Sequence, residues 1–161
     1  MAKAIILIGR LCCGKTTYAK QVIGREGGVL ISADELMQTI FPEPLGDEYD
    51  KFSARGIQYL YHLTRQLVQG GVNAVLDFGG WSPASRKAAK DALAGLEQDW
   101  RYLDVPQDEW ERRIEKRNAA IAKGEGKLNE YYVDEGLLDK ANRLFQPPTE
   151  DEGLNFTVIH T

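Results

Sequence analysis

Three groups of side chains stand at spacings that suit phosphate chemistry. The first is the run Gly9-Arg10-Leu11-Cys12-Cys13-Gly14-Lys15-Thr16: a glycine, four residues, then glycine, lysine and a hydroxyl. That spacing builds a cradle for nucleotide phosphates. Its glycines let backbone N–H groups turn inward on phosphate oxygens, and a helix opening near Lys15 adds the positive end of its dipole. Gly9, Leu11, Cys12, Cys13, Gly14, Lys15, Thr16 and Thr17 are therefore candidate contacts to ATP. Lys15 would supply a mobile charge for the β- and γ-phosphates, and Thr16 a hydroxyl for Mg²⁺. The adjacent Cys12 and Cys13 read as small loop residues, or as a thiol sensitive to oxidation near a helix N-terminus.

The second group is a pair of carboxylates, each following an apolar run. Asp34 comes just after Gly28–Ile31. There it is either a general base for an attacking hydroxyl or an acid favoured by the dipole of a helix's first turn. Asp77 ends Ala74-Val75-Leu76. It is either a water-mediated partner of Mg²⁺ or of a substrate hydroxyl, or an ordinary strand-end aspartate. Gly79-Gly80 then permits close backbone approach, and Trp81 either flanks a substrate or packs under the next helix.

The third group is basic. Between Glu109 and Asn118 lie Arg112, Arg113, Lys116 and Arg117. On a helix, Trp110, Ile114, Arg117 and Ile121 share a face, so Arg117 interrupts an apolar stripe. Arg113 and Arg117 are one turn apart and can grip phosphate oxygens together. The alternative is a solvated face with pairs such as Glu109–Arg113, which suits Arg112 and Lys116 better than Arg117. The charged, glycine-containing break Lys123–Lys127 reads as part of a lid.

These groups need positioning elements. Ala4–Ile8 is a continuous apolar run, as in a strand covered on both faces. Further strands are expected at Gly28–Ile31, Val72–Phe78, Trp100–Val105 and Phe156–His160. Helices are expected at Gly14–Ile23, from Ser32 to about Ile40, Asp47–Gln69, Ser82 to about Leu96, Pro106 to about Ile121, and Val133–Phe145. Ser32 with Glu35 has capping-box spacing, and Ser82-Pro83 is an N-cap followed by a first-turn proline. Strands alternating with helices indicate a parallel sheet with both faces covered, and a ligand crevice at its carboxyl edge.

Composition narrows the function classes. The chain has 161 residues, with 20 basic and 24 acidic side chains, a net charge of −4 and 43% hydrophobic residues. One domain over 1–161 is expected. The acidic balance argues against a chain-wide nucleic-acid or membrane surface. No apolar run approaches the length of a membrane span, and Met1–Gly9 is too short for a secretion signal. Two adjacent cysteines make no disulfide framework, so a cytoplasmic setting is expected, as a monomer or homodimer. His62 and His160 have no partner placed for a triad. Glu150-Asp151-Glu152 reads as a solvated loop.

Together these residues resemble small P-loop kinases of the AAA_33, zeta-toxin and polynucleotide-kinase type. The resemblance rests on Gly9–Thr16, on Ile31-Ser32-Ala33-Asp34, and on Leu76-Asp77 with Ser82-Pro83 and Arg86. It rests also on Leu103–Pro106 leading to Lys116-Arg117-Asn118, and on the segment Phe145–Gly153. It implies an α/β P-loop NTPase sandwich with a five-stranded parallel sheet in the order 2-3-1-4-5 and a small lid at about 113–132. It implies Asp34 as the base at the acceptor hydroxyl and Asp77 as a carboxylate between acceptor and phosphate loop. Arg117 is then a lid arginine on the donor phosphates, and Arg113 resembles an adenine-stacking arginine. A second lid arginine is replaced by Ile121. The segment Asp47-Glu48-Tyr49-Asp50 is acidic where polynucleotide kinases are basic.

The expected activity is transfer of the γ-phosphoryl group of ATP, with Mg²⁺, to a hydroxyl of a small molecule. Lys15, Asp34 and Arg117 would be catalytic, Arg113 would bind nucleotide, and Thr16 and Asp77 would serve the metal. Arg55 and Tyr59 on the long helix, with Gly79–Arg86, would shape the acceptor pocket. The alternatives are a kinase of nucleic-acid 5′-hydroxyls and a nucleotide-dependent binding module with weak ATPase activity.

Overall fold

The apolar run after Lys3 forms the central strand of the sheet. In the computed structural model, which describes residues 1–126 and 131–161, β1 (Ala4–Ile8) is buried along its whole length. It pairs in parallel with β3 (Ala74–Asp77) on one side and β4 (Gln98–Asp104) on the other. β2 (Val29–Ser32) and β5 (Thr157–His160) complete a parallel five-stranded sheet in the order β2-β3-β1-β4-β5.

Alternation along β1 divides the core in two. Ala4, Ile6 and Ile8 face a cluster that includes Leu60 and Val68 of α3 (Tyr49–Gln69) and Ala89 of α4 (Pro83–Ala92). Ile5 and Leu7 face Ala19 and Val22 of α1 (Lys15–Glu26), Trp110 and Ile114 of α5 (Gln107–Ala122) and Ala141 of α6 (Glu135–Leu144). Each cluster is built of buried apolar side chains, so both sheet faces contribute apolar burial. α2 (Ala33–Ile40) packs on α3, where Gly56 lets Leu36 approach within about 3.0 Å of the point a Cβ would occupy.

Parallel pairing brings every strand's carboxyl end to one edge. Register sets Asp77 beside Ser32 on one neighbour and Leu7 on the other. Two caps then fix the helices that leave this edge. Ser32 Oγ accepts from the Glu35 N–H at 3.2 Å, and Ser82 and Ser85 cap each other's backbone.

Several element ends differ from expectation for identifiable reasons. The long helix begins at Tyr49, after the 3₁₀ turn Gly46–Glu48. α4 stops at Ala92 because the chain turns through the left-handed Gly95. α6 begins at Glu135, not Val133. The Val133 N–H and C=O are both taken by the Asn118 side chain, at 2.7 and 2.8 Å, and Asp134 caps the helix through the Leu137 N–H. Of the expected lid at 113–132, residues 127–130 lie outside the described residues, and with them Lys127 of the charged break.

Candidate active site at the carboxyl edge

Between β1 and α1 the chain turns through Cys12 at φ 57° and Gly14 at φ 94°, both left-handed. Alternating left-handed residues fold backbone N–H groups toward one concavity, which makes an anion nest. The loop is held tight. A Cβ at Gly9 would run into the Cys13 sulfur, and the Gly9 N–H bonds the Gly79 carbonyl at 3.0 Å. Trp110 Nε1 donates to the Leu11 carbonyl at 2.6 Å. Arg113 Nη1 and Thr161 Oγ1 both donate to the Cys13 carbonyl, at 3.2 and 3.0 Å.

Lys15 curls over this loop. Its Nζ donates to the carbonyls of Gly9 at 2.8 Å and Arg10 at 3.0 Å. Burial alone would pull its pKa down, but the Cys13 sulfur, Asp77 and Asp34 outweigh burial and the net direction is up. The ammonium therefore stays protonated and sits where phosphates would arrive. Asp77 is the counterpart. Burial pushes its carboxyl above the usual range, Lys15 pulls it down, Asp34 pushes it up again, and the net direction is up.

Two concavities flank the loop. The first, of about 690 Å³, is lined by Lys15, Asp34 and Asp77 together with Leu11, Tyr49 and Trp81. The second, of about 760 Å³, is lined by Cys12, Gly14 and Thr17 of the loop region, Arg113 and Arg117 of α5, and Thr161. Asp34 stands in the first turn of α2, exposed to its concavity. Tyr131 links the two sides: burial pushes its phenol up, Asp34 adds to that, and Arg117 opposes it. Arg117 of α5 and the α2 carboxylate thus both act electrostatically on one hydroxyl.

Arg113 is more constrained than a free stacking arginine. Besides Cys13 it bonds Thr161 Oγ1 at 3.2 Å and Glu109 Oε1 at 2.9 Å. It borders the second concavity and braces the loop at the same time. Arg117 lies one turn on, half-buried on the same side.

Three expectations need correction. Arg55 and Tyr59 do not line the first concavity; both are exposed, and Arg55 lies over the Phe52 ring at 5.5 Å. The α3 positions that line the cavity are instead Ser53, Ala54, Ile57, Gln58 and Tyr61. Arg86 does not line it either: its side chain is fully buried, fixed to the carbonyls of Gly80 at 2.6 Å and Gln146 at 2.8 Å. Glu152 is no solvated acid but its bidentate partner, at 2.7 and 3.0 Å. Sequence reading missed Trp110, Thr161 and Asn118 as supports of the site, since each acts on a backbone group far along the chain.

Thr16 and Asp77 offer two hard oxygens beside the nest. That suits Mg²⁺, which keeps several waters and takes its other ligands from phosphates. Among the described residues no group of three or more His, Cys, Asp or Glu could enclose a metal by itself.

A parallel sheet in this order, with a phosphate nest after its central strand, defines the kinase-like P-loop NTPase fold. The chain belongs to the AAA_33 family, described as an AAA domain, whose match covers residues 5–148. Solved structures share the fold. A sugar kinase from Janibacter sp. HTCC2649 superposes with TM-score 0.66 at 18% identity, over 99% of this chain and 86% of that one. The APS kinase CysC of Mycobacterium tuberculosis, in complex with AMPPNP and APS, gives 0.66 at 17%, over 99% and 88%. A chain of the Pnkp1/Rnl/Hen1 RNA repair complex gives 0.69 at 20%, over 89% of this chain and 43% of that longer one. No curated protein matches the sequence. Among the described residues no helix is long and apolar enough to cross a membrane.

Proposed function

We propose that this chain is an ATP- and Mg²⁺-dependent phosphotransferase whose acceptor is a hydroxyl of a small molecule, acting as one catalytic domain with residues 113–132 as its lid. The observation that supports it best is the convergence of Lys15, Asp34 and Asp77 on one cavity beside the phosphate nest. A cavity of about 690 Å³ suits a small organic acceptor.

In this reading Gly9, Leu11, Cys12, Cys13, Gly14 and Thr17 hold the phosphates through backbone and side-chain donors, and Arg113 borders the nucleoside. Thr16 and Asp77 hold Mg²⁺. When bound, Mg²⁺–ATP supplies the phosphoryl group and offsets part of its charge. Lys15 and Arg117 stabilise charge on the phosphoryl oxygens as it is transferred. Asp34 accepts the acceptor's hydroxyl proton.

The test is ADP release with Mg²⁺–ATP across sugars, amino alcohols, nucleosides and hydroxyl-ended oligonucleotides. Stimulation by one class, lost in Lys15→Met, supports the reading. Asp34→Asn is expected to slow transfer by about 10²-fold or more while ATP still binds. An unchanged transfer rate in Asp34→Asn removes the base role.

A further inference from the structure

The acceptor-side cavity has its own charge and surface chemistry. Asp34, Asp50 and Asp77 all line it. Against them stand two ammonium groups, Lys15 and Lys140. Lys15 is committed to the phosphate loop through the Gly9 and Arg10 carbonyls. No arginine lines the cavity among the described residues.

Asp77 and Asp34 feel the charge of Lys15, but none of the three carboxylates is held in a direct ion pair among the described residues. Glu26, Asp91, Asp99, Glu109 and Glu152 are among the acids that face a basic partner within 4.0 Å, while others outside the cavity, such as Glu35 and Asp47, form no such pair among the described residues. Asp34, Asp50 and Asp77 have no such ion pair among the described residues. The proposed mechanism gives Asp77 to the metal and Asp34 to the hydroxyl. Asp50 then remains as a carboxylate that the reaction does not use.

The rest of the lining is aromatic. Tyr49, Tyr61, Phe78, Trp81 and Tyr131 all border the cavity. Tyr61 and Phe78 meet edge-on with centroids 6.2 Å apart. Tyr49 lies within electrostatic reach of both Asp34 and Asp50. Aromatic faces beside an unpaired carboxylate attract a cationic nitrogen and repel a second anion. A phosphate- or carboxylate-bearing acceptor would want arginine forks here.

We infer that the acceptor is an alcohol carrying a protonated or quaternary amine on an apolar or aromatic body, with Asp50 receiving the amine among these aromatic side chains. This rests on the phosphotransferase reading of the same site. It orders the acceptor by two ends: the hydroxyl at Asp34 and the cationic nitrogen at Asp50. One molecule spanning both would present its alcohol to the nucleotide side in a single orientation.

The test uses matched triplets that share a hydroxyl and a body but differ in charge. One triplet is phenylalaninol, N-acetylphenylalaninol and N-succinylphenylalaninol. A second is 4-(hydroxymethyl)benzylamine, its N-acetyl derivative and 4-(hydroxymethyl)phenylacetate. ADP release with Mg²⁺–ATP is measured for each, in the parent and in Asp50→Asn and Asp50→Glu. The amine member is expected to have the highest kcat/KM of its triplet. Its advantage over the N-acetyl member is expected to shrink at least tenfold in Asp50→Asn, chiefly through KM, and to return largely in Asp50→Glu. A thermal midpoint for each variant confirms the fold. Faster turnover of the neutral or anionic member, or an amine preference that survives Asp50→Asn, overturns this inference and leaves the phosphotransferase reading standing. Stimulation by no triplet member, with turnover of another class in the wider acceptor panel, overturns this inference alone; ADP release stimulated by no acceptor of either set overturns both.

Discussion

Asp77 occupies a place where folding and chemistry pull apart. Burial holds its carboxyl above the usual range even though Lys15 attracts it. The linkage follows from that direction. An acid whose folded pKa is raised is penalised in the native state once it ionises, and the penalty fades as pH falls through the folded value. Asp77→Asn is therefore expected to be more stable than the parent at pH 7, with a higher melting midpoint. The gap should narrow toward pH 4. The same variant should lose most phosphoryl transfer, since an amide is a poorer metal ligand than a carboxylate. Thermal melts at pH 7 and pH 4, with ADP-release assays, test both halves. A variant that is less stable at pH 7 contradicts the assignment. Such a trade is expected where a site is built against stability.

At the scale of elements, two side chains hold the site by gripping backbone. Asn118 takes both backbone groups of Val133, so Asn118→Ala leaves two partners unmet. A loss of about 1–3 kcal/mol is expected, with faster amide exchange at Val133 and a raised KM for ATP. Unchanged exchange there would show that the pairing is not what anchors the segment. Arg86 and Glu152 join α4 to the segment after α6. Glu152→Gln strands a fully buried guanidinium and should cost about 3 kcal/mol or more, whereas the exposed Glu150→Gln should stay within about 0.5 kcal/mol. Equal melting midpoints for the two would refute the difference. These contacts also mark where sequence reading stops. The nest from Gly9 to Thr16 is legible because its turn demands glycine at set offsets, and the sheet is legible because its buried strands are continuous apolar runs. Glu152 and Thr161 are not, because their partners lie 66 and 148 residues away. Arg55 was misplaced because a long amphipathic helix shows its apolar phase but not which flank borders a cavity.

The whole molecule separates stability from chemistry across the sheet. Opposite the site, near its amino edge, Lys3 and Arg101 meet Glu26 and Asp99. Arg101 reaches Glu26 at 3.0 and 3.2 Å and Asp99 at 2.7 and 3.2 Å, while Lys3 reaches Asp99 at 2.8 Å. The hydrogen bond from Arg101 holds Glu26 below the usual carboxylate range. Burial would raise Asp99, but the bonds from Arg101 and Lys3 outweigh it and hold it low as well. For depressed acids the sign is opposite to that of Asp77. Their stabilisation is complete above the unfolded value of about 4 and is lost as pH falls through the lower folded values. The parent should therefore melt at a nearly constant temperature from neutral pH down to about pH 5, then fall steeply below pH 4. The double variant Glu26→Gln/Asp99→Asn should melt several degrees lower at pH 7, a loss of about 1–2 kcal/mol for partly exposed carboxylates. It should also lose less than the parent on acidification, so that the two curves converge near pH 3. Its transfer rate should hold, because the network stands at the far end of the strands from Lys15 and Asp34. Curves that stay parallel through pH 4 would assign the acid sensitivity to other carboxylates. A lost transfer rate in a folded variant would show that the two edges are coupled through β1 and β4.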